Sequence, residues 1–396
     1  MAHSEYWSAA NTTEQSTTSA TVWSTGATLT FTPSASKDYV VFWSGVATLG
    51  TFNSDSQYRL YESSSSTQRV LQQSAYSDTG DKIAIGGMYF FTSSGSPSAM
   101  TFQIQCKSAT AGVTTKQNNT RLVVLDITSL DAKAEALTRT TAITNTLIDK
   151  ISYDLTVPAG GGDYLIIATF NADSTAYYSR FSLLVNAVES FTWSAGGFPV
   201  QAYCELVSNI VGTSMAVVRT LAAGTRTIKV RFSNGDSGGT TGIAEARLLC
   251  LRLSEFTNAY TNQDLTGDET AASGSTTYRN IAAVTQSTAA TDFLLIASGN
   301  IGYKNGTGLA ALGRVRLDAT DLAAYTKKWL SSITFTAWCA SVATLSAASH
   351  TFDMQYATAS GTVANPVTGA IALLELPQPV VGGTPKMMGN PGMMSA

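Results

Sequence analysis

The sequence predicts an all-β protein of three tandem antiparallel β-sandwich domains, jelly-roll-like, with extended termini. The first observation is a strand that begins with an acidic residue and an aromatic and that occurs three times, as "KDYVVFWSG", "GDYLIIATF" and "TDFLLIASG". The aspartates of these strands, Asp38, Asp163 and Asp292, lie 125 and 129 positions apart, which is the length of a domain. The second observation is that the flanking segments follow in the same order each time.

The flanking segments of each copy comprise an arginine, an alternating strand and an apolar closing strand. The arginines are Arg59, Arg180 and Arg314, and the alternating strands are "SAMTFQIQC", "GTRTIKVRF" and "ASHTFDMQY". The closing strands are "RLVVLDI" from Arg121, "RLLCLRL" from Arg247 and "AIALLEL" from Ala370. Short runs of β-branched and aromatic residues between Gly, Ser, Asn and Asp clusters are typical of strands and turns, so each copy predicts a two-sheet sandwich of about eight strands.

The pattern within the strands predicts which faces are buried. In "TIKVRF", Ile228, Val230 and Phe232 alternate with Lys229 and Arg231, so one face should enter the core while the other meets water. The "DYLII" strand is apolar almost throughout, which predicts a central strand covered on both sides.

The sequence does not decide the secondary structure of one segment. The stretch "SLDAKAEALTRTT" from Ser129 is compatible with a short helix, yet it occupies the place of the Thr-rich leading strands of the other copies. The predicted domains are residues 1–128, with an N-terminal arm, then 129–254 and 255–376, followed by a Pro/Gly/Met-rich arm over 377–396. That tail, "LPQPVVGGTPKMMGNPGMMSA" from Leu376, fits either plain disorder or an arm that orders on a neighbouring subunit.

Composition excludes several classes of partner. Only 13% of the 396 residues are charged, with 24 basic and 27 acidic residues and no run of either sign, so a nucleic-acid partner is not expected. The N-terminus lacks the pattern of a signal peptide, and no apolar run reaches the length of a membrane helix, so neither export nor a membrane is expected. The cysteines, widely spaced without a Cys-x-x-Cys pair, are expected to be buried free thiols: Cys106, Cys204, Cys250 and Cys339.

The segment "FSNGDSGGTTG" contains the five letters that surround the nucleophile of chymotrypsin-like serine proteases. Gly235 to Gly239 lies between an alternating and a closing strand, where turn residues are needed, so we predict the tip of a hairpin. A Ser237 nucleophile would need a histidine and an orienting carboxylate. The chain has two histidines: His3, in an N-terminus expected to be mobile, and His350, in a turn. We therefore predict no catalytic residue.

The remaining candidate sites also have structural interpretations. The carboxylates of Asp264 to Thr270 lack EF-hand spacing, so a loop is favoured over a calcium site. The repeated aspartates are expected to accept backbone N–H groups, and Arg59, Arg180 and Arg314 to pair with them. We predict no metal-binding or cofactor-binding residue and no cofactor. The tryptophans fit core or interface positions better than sugar stacking: Trp7, Trp23, Trp43, Trp193, Trp329 and Trp338.

The tandem copies, the low charge, the Ser/Thr/Ala-rich texture and the small-residue turns before "GTRTIKV" and "ASHTFDM" resemble structural proteins of tailed-phage virions. These include capsid decoration or cement proteins, head fibres and tail-associated proteins, some with tumour-necrosis-factor-like jelly rolls. The resemblance spans residues 5–376 and implies a non-enzymatic protein of the virion, assembled in the host cytoplasm. It implies major capsid or tail proteins as partners and self-association as a trimer or pseudo-trimer. The alternative is a fibre or adhesin that binds a receptor or glycan.

Overall fold

The computed structural model describes residues 3–49, 56–74, 81–174, 179–186, 188–189, 211–234, 239–265, 277–302, 309–329, 334–358 and 367–377. Within these residues the chain is built from β-strands, with a single turn of 3-10 helix at Leu253–Glu255. The strands form three sandwiches, each made of strands that are consecutive in the chain.

Sandwich 1 contains the first nine strands. They are β1 (Tyr6–Asn11), β2 (Gln15–Thr17), β3 (Ser24–Phe31), β4 (Asp38–Leu49), β5 (Ser56–Glu62), β6 (Thr67–Ser74), β7 (Lys82–Thr92), β8 (Met100–Ser108) and β9 (Thr115–Ile127).

Sandwich 2 contains the next nine strands. They are β10 (Ala132–Ala136), β11 (Thr140–Ala142), β12 (Ile148–Val157), β13 (Gly162–Ser174), β14 (Ser179–Val185), β15 (Val188–Glu189), β16 (Val211–Leu221), β17 (Gly224–Asn234) and β18 (Thr241–Arg252).

Sandwich 3 contains eight strands. They are β19 (Ala259–Asp264), β20 (Arg279–Ser287), β21 (Thr291–Gly302), β22 (Leu309–Leu317), β23 (Thr320–Trp329), β24 (Thr334–Leu345), β25 (Ser349–Thr358) and β26 (Val367–Glu375).

The three sandwiches share one strand order, which is that of an antiparallel jelly roll. The inner sheets run β1-β9-β4-β7, β10-β18-β13-β16 and β19-β26-β21-β24, and the outer sheets run β3-β8-β5-β6, β12-β17-β14-β15 and β20-β25-β22-β23. The single pair Lys82–Thr326 also joins β7 of sandwich 1 to β23 of sandwich 3, so an inner and an outer sheet continue into each other. The predicted all-β class with antiparallel sandwiches is confirmed, while the domain boundaries at 128/129, 254/255 and 376/377 stay a prediction.

The strand pairing decides the structure of two segments: the one from Ser129 and the one from Gly235 to Gly239. The segment from Ser129 forms strands β10 and β11 against β18, so the leading-strand interpretation holds and the helix does not. The hairpin predicted at Gly235 to Gly239 is wrong. Strand β17 pairs with β12 and β14, whereas β18 pairs with β13, so the segment connects two opposite sheets.

The "DYLII"-type strands of sandwiches 1 and 2 divide their side chains between two cores. In β4, Tyr39, Val41 and Trp43 face the core inside sandwich 1, while Val40 and Phe42 face a second core outside it. All five are fully buried, which confirms the prediction of a strand covered on both sides. The period-two alternation of a strand explains why such a strand must be apolar at every position.

A central core joins the three sandwiches. It is formed where the outward faces of the three inner sheets meet, and it continues into the interior of sandwich 3. Its buried members include Phe42 and Val123 of sandwich 1, Ile167 and Leu249 of sandwich 2, and Ile296 of sandwich 3. Sandwiches 1 and 2 also have separate internal cores. The three copies therefore pack as one body, with the inner sheets at the centre.

Candidate functional site

The contact between the sandwiches repeats at one position of the central strands. Ser44, Thr169 and Ser298 each lie six residues after the repeated aspartate of β4, β13 and β21. The Ser44 Oγ donates to the carbonyl oxygen of Ala340 in β24 (3.0 Å) and accepts from the Ala340 N–H (3.2 Å). The hydroxyl of sandwich 1 thereby binds the edge strand of sandwich 3.

The other two copies make the corresponding contacts. The Thr169 Oγ1 accepts from the N–H of Met88 in β7 (3.2 Å), and the Ser298 Oγ lies 3.0 Å from the Ser214 Oγ of β16. Sandwich 2 thus binds the edge of sandwich 1, and sandwich 3 binds the edge of sandwich 2. The three contacts close a cycle, which is a pseudo-threefold arrangement within one chain.

The contacts of Ser44 and Thr169 occupy backbone groups of edge strands, whereas that of Ser298 joins two hydroxyls. Strands β7, β16 and β24 end the inner sheets, and an edge strand carries N–H and C=O groups that no strand of its own sheet satisfies. The Gln263 side chain of sandwich 3 accepts from the Val218 N–H (2.9 Å) and donates to its carbonyl (3.1 Å), which covers β16. In sandwich 1, Gln72 of the outer sheet does the same for Gly86 of β7.

Sandwiches 1 and 3 approach each other closely at Gly86. The indole Nε1 of Trp338 in β24 donates to the Trp43 carbonyl (3.0 Å), which places the ring against Gly86. A Cβ on Gly86 would lie 2.6 Å from Trp338 Cδ1, and φ at this residue is +143°. Glycine is therefore required both by the backbone and by the neighbouring indole.

The arginines that open two closing strands belong to the same interface, which the sequence analysis missed. Arg121 donates from Nη1 to the Leu322 carbonyl of sandwich 3 (2.5 Å), and the buried Arg247 lies over the Tyr89 ring of sandwich 1 (5.8 Å to the centroid). Burial lowers the pKa of Arg247. The signal available was a charged residue at the start of an otherwise apolar strand in two copies, replaced by Ala370 in the third.

The repeated aspartates lie at the rim of this interface. Each accepts a hydrogen bond from a threonine hydroxyl of the adjacent edge strand, Thr92, Thr220 or Thr344. Two also contact the next sandwich: Asp38 pairs with Lys133 (2.9 Å), and Asp292 accepts from the Tyr6 hydroxyl (2.5 Å). Burial and the bond to Asp292 raise the pKa of Tyr6.

Two predictions about these aspartates are wrong. Their hydrogen-bond donors are side-chain hydroxyls rather than backbone N–H groups, because the threonines lie opposite them on the neighbouring strand. The expected ion pairs with Arg59 and Arg314 do not form, because the arginines lie in the outer sheets and the aspartates in the inner ones. The side chain of Arg180 lies outside the described residues, and pairing aligns Ser182 with Arg59 and Arg314.

The N-terminal segment is fixed rather than mobile, contrary to expectation. His3 is fully buried, with Nδ1 2.6 Å from the Asp126 carbonyl and Nε2 3.5 Å from Asp131 Oδ2. Its ring packs on Phe256 at 4.4 Å between centroids. Asp131 also accepts from the Arg252 N–H (2.9 Å), and burial raises the pKa of Asp131. His3 therefore ties together the chain start and both connections between sandwiches.

His350 is the second histidine, and it takes part in the one carboxylate–imidazole–hydroxyl arrangement that we identify in the described residues. Nδ1 contacts the Asp318 carboxylate, and Nε2 lies 3.2 Å from Ser346 Oγ but also 3.1 Å from the Ser346 carbonyl. Nε2 needs a proton to bind that carbonyl, whereas a general base needs it free. The bond to Asp318 raises the pKa of His350, so we interpret the group as an imidazolium that closes a turn.

Several predicted features lie partly or wholly outside the described residues. These are Ser237 and most of its segment, the loop of Asp264 to Thr270 after Leu265, Cys204, Trp193, the Trp329 side chain and the arm beyond residue 377. Cys106, Cys250 and Cys339 are buried free thiols, as predicted. Of the tryptophans, Trp43 and Trp338 are buried in core and interface, and Trp7 and Trp23 are partly buried.

The described part of the chain offers neither a cluster of metal ligands nor a membrane-spanning helix. No group of three or more His, Cys, Asp and Glu side chains there could hold a metal ion. The described residues also contain no helix with the length and apolar character needed to cross a bilayer.

Comparison with known proteins adds distant structural likenesses. No family model matches the sequence, and no curated protein matches it. A solved protein of an archaeal virus turret, described as a triple jelly roll, is 10% identical with a TM-score of 0.22, over 94% of this chain and 91% of that one. The VP2 subviral particle of infectious bursal disease virus is 7% identical with a TM-score of 0.23, over 96% and 82%.

The N-terminal CBM22-1-CBM22-2 tandem domain of Paenibacillus barcinonensis Xyn10C is also similar at this level. It is 8% identical with a TM-score of 0.18, over 63% of this chain and 97% of that one. Likenesses this low assign no function to the chain.

Proposed function

We propose that this chain is a non-enzymatic structural protein of a virion, of the tailed-phage type, that binds and stabilises neighbouring capsid or tail subunits. The observation that carries the proposal is the cyclic contact of the three inner sheets through Ser44, Thr169 and Ser298 around one apolar core. One chain then supplies the rigid three-part body for which separate jelly-roll subunits would have to associate.

The geometry suits a protein that holds other surfaces together. The outward faces of the inner sheets are buried in the central core. The outer sheets of the three sandwiches are therefore the ones that can face other molecules. With 13% charged residues, such a surface offers many hydroxyl groups and few charges that would need desolvation. Large protein assemblies are favoured by many such weak contacts made at once.

The C-terminal arm belongs to the same proposal. The last described residues are at the rim of the interface, where the Leu376 N–H donates to the Asp292 carbonyl (2.9 Å) close to the Tyr6 hydroxyl. We propose that residues 377–396 bind a neighbouring capsid or tail subunit, with their methionines filling an irregular groove. A variant that ends at Pro377 should keep the melting temperature of the full chain and lose retention on particles.

The experiment that tests the proposed function is quantitative mass spectrometry of purified particles from the host that makes the protein. We expect the chain at a fixed copy number relative to the major capsid or tail protein. Particles without the chain should bind the purified protein and gain resistance to heat or chelators. Absence of the chain from particles, or copy numbers that vary between preparations, would contradict the proposal.

A further inference from the structure

The outer sheet of sandwich 1 carries an ordered stack of aromatic and cationic side chains, which we call the Trp23 cluster: Trp23, Arg59, Tyr61 and Lys107. The Arg59 guanidinium carbon lies 3.9 Å from the Trp23 ring centroid and 4.1 Å from that of Tyr61. The Lys107 Nζ lies 4.9 Å from the Trp23 ring. Two cations therefore share one indole by cation–π attraction.

The stack is held in place from the neighbouring strand. The Arg59 Nε donates to Gln105 Oε1 (2.8 Å), and Gln105 Nε2 in turn donates to Gln103 Oε1 (2.8 Å). Gln105 is buried, so this amide fixes the guanidinium with little freedom to rotate. A ligand would meet a preorganised surface, which lowers the entropy lost on binding.

The cations of the Trp23 cluster have no anionic partner in the described part of the chain. The ion pairs found there join neither Arg59 nor Lys107 to an Asp or Glu side chain. Partial burial lowers the pKa of Arg59, which is the direction expected for a guanidinium with no carboxylate beside it.

Sandwich 3 provides an internal comparison, because it has the same stack in a neutralised form. Arg314 lies over the Tyr278 ring (3.6 Å to the centroid), and its Nε donates to Gln355 (2.7 Å), as in sandwich 1. Here, however, the Asp321 carboxylate lies 3.9 Å from Arg314. Lys107 corresponds to Ala357 in the pairing register, so the second cation is missing as well.

Sandwich 2 has lost the stack. Ser182 occupies the position of Arg59, and Arg231 occupies that of Gln105, paired with Asp149 at 3.2 Å. Both other copies thus place a carboxylate beside the cation of this face. Within the described residues the Trp23 cluster lacks one, and from this difference we infer that an external anion supplies it.

We propose that the Trp23 cluster binds an acidic glycan, through sugars that carry a carboxylate. Arg59 and Lys107 offer charge-assisted hydrogen bonds to the carboxylate, and the partly exposed aromatic rings offer flat apolar area for the C–H face of a sugar ring. The amides of Gln57 and Gln103 on the same face can both donate to and accept from sugar hydroxyls. An acidic protein segment would use the cations and the amides but would offer no sugar ring to stack on the aromatic side chains.

The test measures the binding of the full-length protein to immobilised polygalacturonate and polysialic acid by bio-layer interferometry. Methyl-esterified polygalacturonate serves as the uncharged control and poly-L-glutamate as the acidic-protein control. We expect Arg59→Gln or Lys107→Gln to weaken binding by about tenfold each. The matched control is Arg314→Gln, whose arginine already has Asp321 and whose loss should leave the affinity unchanged. Trp23→Leu, checked for an unchanged melting temperature, removes the stacking surface and should also weaken binding.

Three results would overturn the proposal. They are the absence of binding to either carboxylated polysaccharide, equal binding of the esterified polymer, and an equal effect of Arg314→Gln. Binding of poly-L-glutamate at the same affinity would also overturn it, in favour of an acidic protein partner. The assay needs no virion, so its outcome is independent of the proposed structural role.

Discussion

At the scale of single residues, Gly86 is the position where the fold depends most directly on the absence of a side chain. A Cβ there would meet the Trp43 carbonyl and the Trp338 ring, and its φ of +143° is strained for any other residue. Nothing near this glycine can yield cheaply, because one obstacle is backbone and the other is a buried indole.

We therefore expect Gly86→Ala to lower the free energy of unfolding by about 2 to 4 kcal/mol, the sum of backbone strain and overpacking. Gly112→Ala is the matched control, because φ there is +85° and no atom lies within 4 Å of the added Cβ. It carries the strain without the clash and should cost about 1 kcal/mol. Urea denaturation of both variants measures the difference, and equal losses would argue against the close contact of Trp338.

His350 gives a prediction with a pH dependence. Its bond to Asp318 raises the pKa of the imidazole above 6.5, and the same bond, against the opposing effect of burial, lowers the pKa of Asp318 below 3.8. A group with a raised folded pKa stabilises the fold below its unfolded pKa, and this stabilisation is lost as the pH rises through the folded value. The carboxylate contribution is lost as the pH falls through the lowered pKa of Asp318.

The melting temperature of His350→Gln should therefore fall furthest below that of the parent near about pH 5, with the difference shrinking by about pH 9. Calorimetric scans across this range measure it, with Ser349→Ala as a control for a change in the same turn. A difference that stays constant with pH would mean that the histidine is neutral. In that case Nε2 would be available as a general base, and the protein should be assayed for hydrolase activity with Ser346 as the nucleophile.

At the scale of elements, the edge strands β7, β16 and β24 explain why the sandwiches associate. Each ends an inner sheet, and each is covered by a side chain of the neighbouring sandwich: Thr169, Gln263 and Ser44 respectively. Natural sheets protect such edges, because unsatisfied N–H and C=O groups would otherwise recruit other chains. Here the three copies protect one another.

Thr169→Val tests the covering of β7. It keeps the shape of the side chain but leaves the buried Met88 N–H without its acceptor, which should cost about 1 to 3 kcal/mol of unfolding free energy. Thr156→Val, at an exposed position of β12, is the control and should change stability by less than about 0.5 kcal/mol. Guanidinium denaturation compares the two variants. Equal losses of unfolding free energy would mean that the Thr169 hydroxyl does not stabilise the interface.

The elements themselves were largely predictable, and their contacts were not. The alternation of "TIKVRF" fixed which face of β17 is buried, because strand geometry is local. The predicted ion pair between Arg59 and Asp38 was wrong, because a correct prediction would have required knowing which sheet each strand joins. A jelly roll sends most consecutive strands to opposite sheets, so residues close in the repeat can lie on different layers.

At the scale of the whole molecule, the chain is one pseudo-threefold body rather than a row of separately packed domains. The central core mixes residues of all three copies, and His3 and Asp131 join the chain start to the connections. The free energy of folding of each sandwich is therefore tied to that of its neighbours.

We expect the full chain to unfold in one cooperative transition and to sediment as a compact 41.6 kDa monomer. A fragment of residues 1–128 would expose Val40, Phe42, Val123 and Leu125 to water, so it should self-associate or lose fixed tertiary structure. Sedimentation and near-ultraviolet circular dichroism distinguish these outcomes. A soluble, monomeric fragment with its own sharp transition would instead support independent domains at the predicted boundary.

By itself the sequence determined the repeat, the all-β class and the fully buried central strands, because period-two patterning and turn residues act over a few neighbours in the chain. The burial of His3 and the cycle of Ser44, Thr169 and Ser298 were decided by tertiary structure alone. The same holds for the lack of a carboxylate beside Arg59 among the residues that the structure describes. Each of these depends on how the faces of distant sheets meet. That meeting is a property of packing between copies, and no pattern within one copy encodes it.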